Sequence, residues 1–540
     1  MVRGVKTVDS SEKHRFFDTT RFTFILRGIL VGLLSGLVVS VFRLLCERGL
    51  QLMTWVYGLM HHHLWLLLPV ILGALVITLI NGRLITAEPN IKGSGIPQVE
   101  GQLSGDLEMN WWSVLWRKWI GGILGISYGL FLGREGPSIQ LGATVGQGIA
   151  DSMRKKGAGR RVLIAGGAAA GLSAAFNAPI ASTLFVLEEV YHNFSPLVWT
   201  TALAAAVSSN FVSMEFFGLT PVLDIHYGHS FPLRYYAYLV VMGVILGLLG
   251  YLYQYMTLNG EKVYAKLKFL PRKYDVLIPL LMVIAIGYFW PHLLGGGNGL
   301  IKSLGTTNPT LLILLAIFIM RLLFSTISYC SGTPGGIFLP ILALGAVLGA
   351  LYGEVLVHLH LMPTYLVANC VIYAMAGYFA CIGKAPFTAI LLITEMVGSL
   401  RHLMPLAVVS LTAYTVVDIL RGQPIYEAML ANLRHFPQNA ISETTQEDEV
   451  EIPVFAGSNL QDKQVRDIPW PKDCLLAAIR RGEKERIPHG DTVIRSGDTL
   501  IVVTPHENRA WLRNRLHQYA VGRNDKGGPI KPSTSQAGKD

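Results

Sequence analysis

Apolar runs separated by short polar stretches follow one another from about residue 22 to residue 420. A run of roughly 20 apolar residues can cross a bilayer as a helix, but several runs are shorter and many contain glycine or proline. Broken helices are tolerated at membrane depth where they line a cavity, and they mark the substrate site of transporters. The pattern therefore predicts a polytopic, all-α membrane protein. Its predicted helical segments are 22–45, 64–81, 112–132, 162–175, 179–190, 197–213, 235–257, 275–293, 311–328, 337–357, 364–380, 386–398 and 403–420.

The apolar region repeats one plan twice. GREGP at 133–137 aligns with GIFLP at 336–340, and GSG at 93–95 falls on GGN at 296–298 at the same offset of 203 residues. Further along, Glu188 falls on Glu395 at an offset of 207 residues. Two halves with breaks at matching places are typical of transporters. We place the repeats at about 21–215 and 235–420, and the alignment leaves parallel and inverted orientations open.

The chemistry of the chain changes near residue 443. Strand-like runs at 451–455, 474–480 and 499–503 alternate with turn residues, and helices are predicted at 460–465 and 507–519. The domains predicted from this pattern are an N-terminal segment at 1–20, a membrane domain at 21–430, a linker at 431–447, a small α+β domain at 448–522 and a disordered tail at 523–540.

Composition supports the membrane assignment. Of the 540 residues 51% are hydrophobic and 15% charged, whereas soluble proteins carry about a quarter charged residues. The net charge of +10 fits basic cytoplasmic loops better than binding to nucleic acid. Basic residues before the first apolar run and the cluster at 154–161 place both regions in the cytoplasm. We expect no signal peptide, and the five scattered cysteines indicate neither a disulfide framework nor a metal site.

Three glycine-rich breaks share a design suited to anions. GSGIP at 93–97, GREGP at 133–137 and GGIFLP at 335–340 each combine glycine with a proline that can open a helix. A helix N-terminus presents unpaired N–H groups and about half a positive charge. Several N-termini that converge at mid-membrane make an anion site without a full positive charge, from which an ion can leave quickly.

With the late tyrosine of QPIY at 423–426, these motifs make residues 20–430 resemble the CLC family of chloride channels and transporters. The resemblance implies the CLC fold with inverted-topology repeats, a homodimer with one pore per subunit, and both termini in the cytoplasm. It implies that Ser94 and Tyr426 hold a chloride ion with the backbone of Ile337 and Phe338. Gly133, Arg134 and Glu135 would line the outer anion site.

The resemblance also assigns two glutamates. Glu135 matches the external gating residue, and Glu189 matches the residue through which antiporters of the family pass protons from the cytoplasm. Channel-type members generally lack that second glutamate, so chloride/proton antiport is favoured over a passive chloride channel. Glu188 lies beside it, and Glu100 and Lys118 match an acid and a base near the proton route, where we expect a buried ion pair. Serine at position 94 favours chloride over nitrate or fluoride.

The C-terminal domain resembles a TrkA-C (RCK C-terminal) domain. The matching residues are SNL at 458–460, IRRG at 479–482, RIP at 486–488 and SGDTLIV at 496–502. The resemblance suggests cytoplasmic sensing of a nucleotide or cyclic dinucleotide, with a dimerisation module as the alternative. It also supports a rival interpretation, a potassium channel with TVGQG at 144–148 as its filter. The basic cluster that follows and the glutamine in place of an aromatic residue argue against that filter.

These expectations describe a carrier rather than an enzyme, without cofactor or metal. Its partners are chloride, protons, the lipid bilayer and a second copy of the chain. The type of C-terminal domain indicates a bacterial inner membrane.

Overall fold

Helices in the computed structural model follow the predicted apolar runs. The model describes residues 20–219, 221–223, 230–266, 270–304, 309–434, 447–471, 474–481, 484–505 and 516. Its α-helices are α1 (Thr20–Met60), α2 (Leu67–Ala87), α3 (Ile96–Ser104), α4 (Trp111–Ser127), α5 (Glu135–Ser152), α6 (Gly157–Phe176), α7 (Pro179–Phe185), α8 (Pro196–Phe217), α9 (Tyr236–Lys266), α10 (Leu277–Phe289), α11 (Asn298–Leu304), α12 (Leu311–Cys330), α13 (Phe338–His358), α14 (Val367–Gly383), α15 (Pro386–Val397), α16 (Leu403–Ile419) and α17 (Ile425–Arg434).

The predicted breaks separate spanning helices from short ones. Among the described residues, eight helical segments are long and apolar enough to cross a bilayer. Helices α3, α7, α11 and α15 are too short to do so, and α3, α7 and α15 have proline in the first turn. The N–H groups of the first turn have no partner within the helix. Proline lacks an N–H, so it can occupy this turn without loss of a hydrogen bond. The protein is therefore a multi-pass membrane protein with helices that end inside its core.

The two repeats meet at equivalent residues. Gly133 and Gly336 form an antiparallel bridge in which each N–H donates to the other's carbonyl at 2.7 Å. Two equivalent residues that exchange both hydrogen bonds in this way are related by a local twofold axis. The loop of Gly93 joins the same junction, because Gly335 N–H donates to the Gly93 carbonyl at 3.0 Å. All three predicted anion-binding breaks thus lie together.

The C-terminal domain is a four-stranded antiparallel sheet. Its strands are β1 (Glu447–Pro453), β2 (Leu475–Arg481), β3 (Lys484–Arg486) and β4 (Asp498–Pro505), in the spatial order β1-β4-β2-β3. The three predicted strands are confirmed. Its core consists of small and branched apolar residues that include Val450, Ile452, Ile479, Leu500 and Val502.

The helix predicted at 460–465 is wrong. The segment runs through turns into a short 3-10 helix at Val465–Asp467, because its backbone pairs with a neighbouring loop. Asp462 N–H donates to the Ile494 carbonyl at 2.8 Å, and Ile494 N–H donates to Lys463 at 2.9 Å. The other predicted helix at 507–519, the tail at 523–540, the N-terminal segment at 1–20 and most of the linker at 431–447 lie outside the described residues.

Charged pairs order the C-terminal domain and join it to the membrane domain. Arg481 binds the buried Asp498 carboxylate through two hydrogen bonds of 2.7 Å, and these bonds raise the pKa of the guanidinium above its usual value. Glu451 accepts from Arg480 at 3.3 Å and lies 4.0 Å from Arg161 at the start of α6. The sheet therefore sits against the N-terminal part of α6.

Candidate functional site: a buried anion site between helix ends

The N-termini of helices from both repeats face the junction of the two repeats. Glu135 is the first residue of α5, Ile337 is the N-cap of α13, and Ser94 stands just before the N-cap of α3. The backbones approach closely here, since a Cβ on Gly136 would lie only 2.8 Å from the Ser94 carbonyl oxygen. Glycine is therefore required at position 136. The converging helix ends supply N–H groups and positive partial charge.

Side chains from four elements enclose this junction. Ser94, Ile337, Phe338 and Tyr426 are all at most 1% exposed. The Phe185 ring at the end of α7 connects two of them, with its centroid 5.7 Å from Phe338 and 6.2 Å from Tyr426. The residues predicted to hold the anion are thus brought together, although Ser94 and Tyr426 lie more than 300 positions apart in the chain.

Two hydroxyl groups here have no protein partner. Among the described residues, the Ser94 hydroxyl and the Tyr426 hydroxyl are buried without a hydrogen bond. A buried polar group left unpaired costs about 1–3 kcal/mol, and more if it is charged. Unpaired groups clustered in a well-packed core therefore call for a ligand that the protein itself does not provide.

A wide vestibule lies next to Arg134, the neighbour of Glu135. A cavity of about 860 Å³ is lined by Arg43, Glu47, Arg134 and Lys302, among others. Arg134 donates to the Glu47 carboxylate at 2.5 Å, and its Nε lies 3.9 Å from a Glu135 oxygen. Arg134 is thus held in the vestibule wall by Glu47, close to Glu135 but without a hydrogen bond to it.

Glu189 is the second buried glutamate near Tyr426. It is 5% exposed and belongs to a π-helical turn, Val186–Val190, that continues α7. Such single turns are frequent at functional sites. Tyr426 is close enough to interact electrostatically with both Glu189 and Glu135.

Glu188, the neighbour of Glu189, has a different environment. Its carboxylate accepts hydrogen bonds from the backbone N–H and the hydroxyl of Thr388, at 2.8 and 2.6 Å, in the first turn of α15. Its repeat equivalent Glu395 accepts from the N–H groups of Ile180 and Ala181 in the first turn of α7, at 3.2 and 2.7 Å. Each glutamate caps a short helix of the other repeat.

The predicted ion pair between Glu100 and Lys118 is wrong. The Lys118 ammonium is fully buried and donates to the carbonyls of Ile91 and Gly93, at 2.9 and 2.7 Å. These carbonyls belong to the loop that leads to Ser94, so Lys118 fixes that loop. Glu100 instead lies close enough to Glu189 for the two carboxyl groups to interact.

Arg321 plays the matching part in the second repeat and was missed from the sequence. It stands 203 residues after Lys118, is fully buried, and donates to the carbonyls of Leu293, Gly295 and Gly296 at 2.7–3.1 Å. The repeat offset itself was the signal that would have found it. Both buried cations, Lys118 and Arg321, therefore donate their hydrogen bonds to backbone carbonyls.

The potassium-filter segment is helical. Thr144 to Gly148 lie inside α5, where the backbone carbonyls face along the helix rather than into a pore. A Cβ on Gly142 would reach the Gly167 carbonyl, and one on Gly146 would reach the Leu163 carbonyl, both in α6. The expected close packing of two helices is therefore confirmed, and a carbonyl filter has no place here.

Comparison with known proteins identifies the family of membrane proteins to which the chain belongs. A model of the voltage gated chloride channel family matches residues 72–418, and a TrkA-C domain model matches residues 449–517. The H(+)/Cl(-) exchange transporter ClcA of Vibrio cholerae is 33% identical over 429 residues, covering 76% of this chain and 90% of that one. The ClcA protein of Salmonella arizonae is 32% identical over 431 residues, covering 77% and 89%.

Comparison with a solved structure supports the same family. The crystal structure of a slow cyanobacterial Cl-/H+ antiporter superposes with a TM-score of 0.69 at 29% identity, covering 76% of this chain and 97% of that one. The fold is thus a membrane transport fold with inverted-topology repeats and broken helices. The chain belongs to the voltage gated chloride channel (CLC) family and carries a C-terminal TrkA-C domain.

Proposed function

We propose that this protein exchanges chloride for protons across the membrane, with Glu135 as the external gate and Glu189 as the internal proton-transfer residue. Relatives from two bacteria are named as H(+)/Cl(-) exchange transporters, and a structural neighbour is described as a Cl-/H+ antiporter. The observation that carries the proposal is the unpaired hydroxyl groups of Ser94 and Tyr426, buried at converging helix N-termini near Glu135.

The hydroxyl groups of Ser94 and Tyr426 are suited to bind chloride. The Ser94 and Tyr426 hydroxyls can each donate one hydrogen bond, and the N–H groups at the start of α13 can add theirs. The buried cations Lys118 and Arg321 are already bonded to carbonyls. An anion would therefore be held by partial charges alone, which allows it to bind and to leave again.

Glu135 is positioned to compete with the anion. Its carboxylate starts α5, where the helix dipole favours a negative charge, so the ionised form takes the place of a chloride ion. A proton on this group removes the attraction and frees the outer site for chloride. One proton and one anion would then exclude each other at a single position, which is the basis of exchange.

Glu189 supports exchange over the alternative, a passive chloride channel. A pore that conducts only chloride does not need a second buried carboxyl group near Tyr426. Its neighbours Glu100, Glu188 and Glu427 are also acidic, and like charges favour uptake of a proton by one member of a group. Glu188 is occupied as a helix cap, so Glu189 is the proton carrier of the pair.

The assembly follows from the same resemblance. We propose a homodimer in a bacterial inner membrane with both termini in the cytoplasm. Ile180 on α7 and Phe387 on α15 are repeat equivalents, and each is 56% exposed although the helices are short and stand side by side. A second subunit that packs on this symmetric apolar face would cover both.

The TrkA-C domain would regulate transport from the cytoplasmic side. Two arginines of this domain already have acidic partners: Arg480 binds Glu451 and Glu485, and Arg481 binds Asp498. A nucleotide phosphate would have to displace a carboxylate from them. Regulation through contact with the membrane domain is the form that the Arg161–Glu451 pair supports.

Chloride binding tests the anion site. We expect isothermal titration to show that Tyr426→Phe combined with Ser94→Ala weakens chloride binding more than tenfold, because hydrogen bonds to charged groups contribute about 1.5–3 kcal/mol each. Tyr264→Phe is the matched control, since that buried hydroxyl already donates to the Ile327 carbonyl. Unchanged affinity in the double variant would remove both residues from the site.

A further inference from the structure

We propose that the cavity between the membrane domain and the TrkA-C domain binds a phosphate group, supplied by the headgroup of an anionic phospholipid. The cavity measures about 530 Å³. It is lined by the start of α1, the loop before α6, the start of α8 and strands of the sheet, including Arg21, Lys155, Lys156, Arg480 and Glu485. Neither chloride nor proton transfer uses this site.

The charges that line the cavity are unbalanced. Arg480 and Glu485 neutralise each other at 2.7 Å, and Glu451 adds a further contact to Arg480 at 3.3 Å. In the part of the chain that the structure describes, no carboxylate lies within salt-bridge distance of Lys155 or Lys156. The membrane side of the cavity therefore carries a net positive charge.

The uncapped start of α6 adds to it. This helix begins after Lys156, whose side chain does not bond to the first turn. The first-turn residues Ala158 and Gly159 line the cavity. Free N–H groups beside lysine ammonium groups form a site that suits a phosphate with its several acceptor oxygens.

The position of α1 points to a lipid as the source. Directly after Arg21, an exposed apolar stripe follows one face of the helix, with Phe22, Leu26, Leu30, Leu33 and Leu37 between 39% and 64% exposed. On a spanning helix such a stripe faces acyl chains, so Arg21 and the cavity lie at headgroup level. A lipid could place its chains along this stripe and its phosphate in the cavity.

A bound headgroup would strengthen the attachment of the TrkA-C domain. It would neutralise the lysines of the membrane domain where the sheet meets them, next to the Arg161–Glu451 pair. The two domains would then be held together more firmly in membranes rich in anionic lipid.

Binding of a short-chain phosphatidylglycerol to the purified full chain tests the proposal, measured by thermal stabilisation over a titration. Each lysine near an anionic surface contributes about fivefold in affinity, so Lys155→Gln combined with Lys156→Gln should weaken binding about 25-fold. The control removes two exposed lysines of α9, Lys262→Gln with Lys266→Gln, and should leave the affinity unchanged. Chloride transport by each variant verifies that it is folded.

Parallel titrations with phosphatidylcholine of the same chain length and with inorganic phosphate identify the source. We expect the anionic lipid alone to stabilise the protein. Equal stabilisation by inorganic phosphate, lost in the lysine double variant, would overturn the lipid as source and assign the cavity to a soluble phosphate. Binding that is the same in the wild type and the lysine double variant would overturn the site.

Discussion

Glu188 and Glu395 lie 207 residues apart, and each caps a short helix of the other repeat. Glu188 follows the C-terminal end of α7 and accepts from the first turn of α15, while Glu395 lies near the C-terminal end of α15 and accepts from the first turn of α7. Four hydrogen bonds thus join the start of each short helix to a carboxylate near the end of the other. Glu188 is thereby held in a structural contact, whereas its neighbour Glu189 interacts electrostatically with Tyr426.

The caps should contribute to stability. We expect Glu395→Ala to destabilise the protein by about 1 kcal/mol or more, since it leaves the Ile180 and Ala181 N–H groups unpaired in the first turn of α7. Thermal unfolding of the purified protein measures the loss, with Glu215→Ala, an exposed acid at the end of α8, as control. A melting temperature equal to that of the control would mean that these hydrogen bonds do not hold the repeats together.

Glu135→Gln should abolish proton coupling and leave chloride movement intact. Glutamine keeps the shape of the side chain but cannot take up a proton, so the link between proton and anion is lost while the anion route remains. Simultaneous recording of chloride and pH in proteoliposomes gives both quantities. If this variant still moves protons with chloride, Glu135 is not the gate.

Glu189→Gln should also uncouple protons from chloride, without a loss of stability. The matched control is Glu188→Gln, one residue away, in which the amide oxygen can still accept from Thr388. We expect the control to retain coupling. Loss of coupling in Glu188→Gln together with normal coupling in Glu189→Gln would exchange the two roles assigned here.

Ser94→Pro should shift the preference from chloride toward nitrate. The substitution removes the hydroxyl at position 94, so a small spherical ion loses a donor that it needs more than a larger planar one does. Competition of the two anions for transport by wild type and variant provides the ranking. The same ranking in both would exclude Ser94 from selectivity.

Much of the fold could be predicted because membrane helices leave a strong local signal. The apolar runs and the glycine-proline breaks at 93–97, 133–137 and 335–340 correspond to the helices and helix starts of the structure. The strands of the C-terminal domain were found in the same way. The helix predicted at 460–465 failed because its backbone pairs with the loop of Ile494, a partner that local propensity does not reveal.

The candidate site was predictable in its motifs but not in its supporting contacts. Opposite charges suggested a Glu100–Lys118 pair, yet a buried ammonium is satisfied as well by two carbonyls, and only the folded backbone shows where those carbonyls lie. Arg321 belongs to no motif, and only its offset of 203 residues from Lys118 could have identified it from the sequence. The capping role of Glu188 depends on Thr388, which lies 200 residues away.

Proton movement driven by a chloride gradient tests the proposed chloride/proton exchange most directly. Purified protein would be reconstituted in liposomes loaded with chloride, with the voltage set by valinomycin and balanced potassium so that only chloride drives transport. We predict that chloride leaving the liposomes moves protons inward against their own gradient. Chloride efflux with no change in internal pH would contradict proton exchange and identify a passive chloride channel with the same fold.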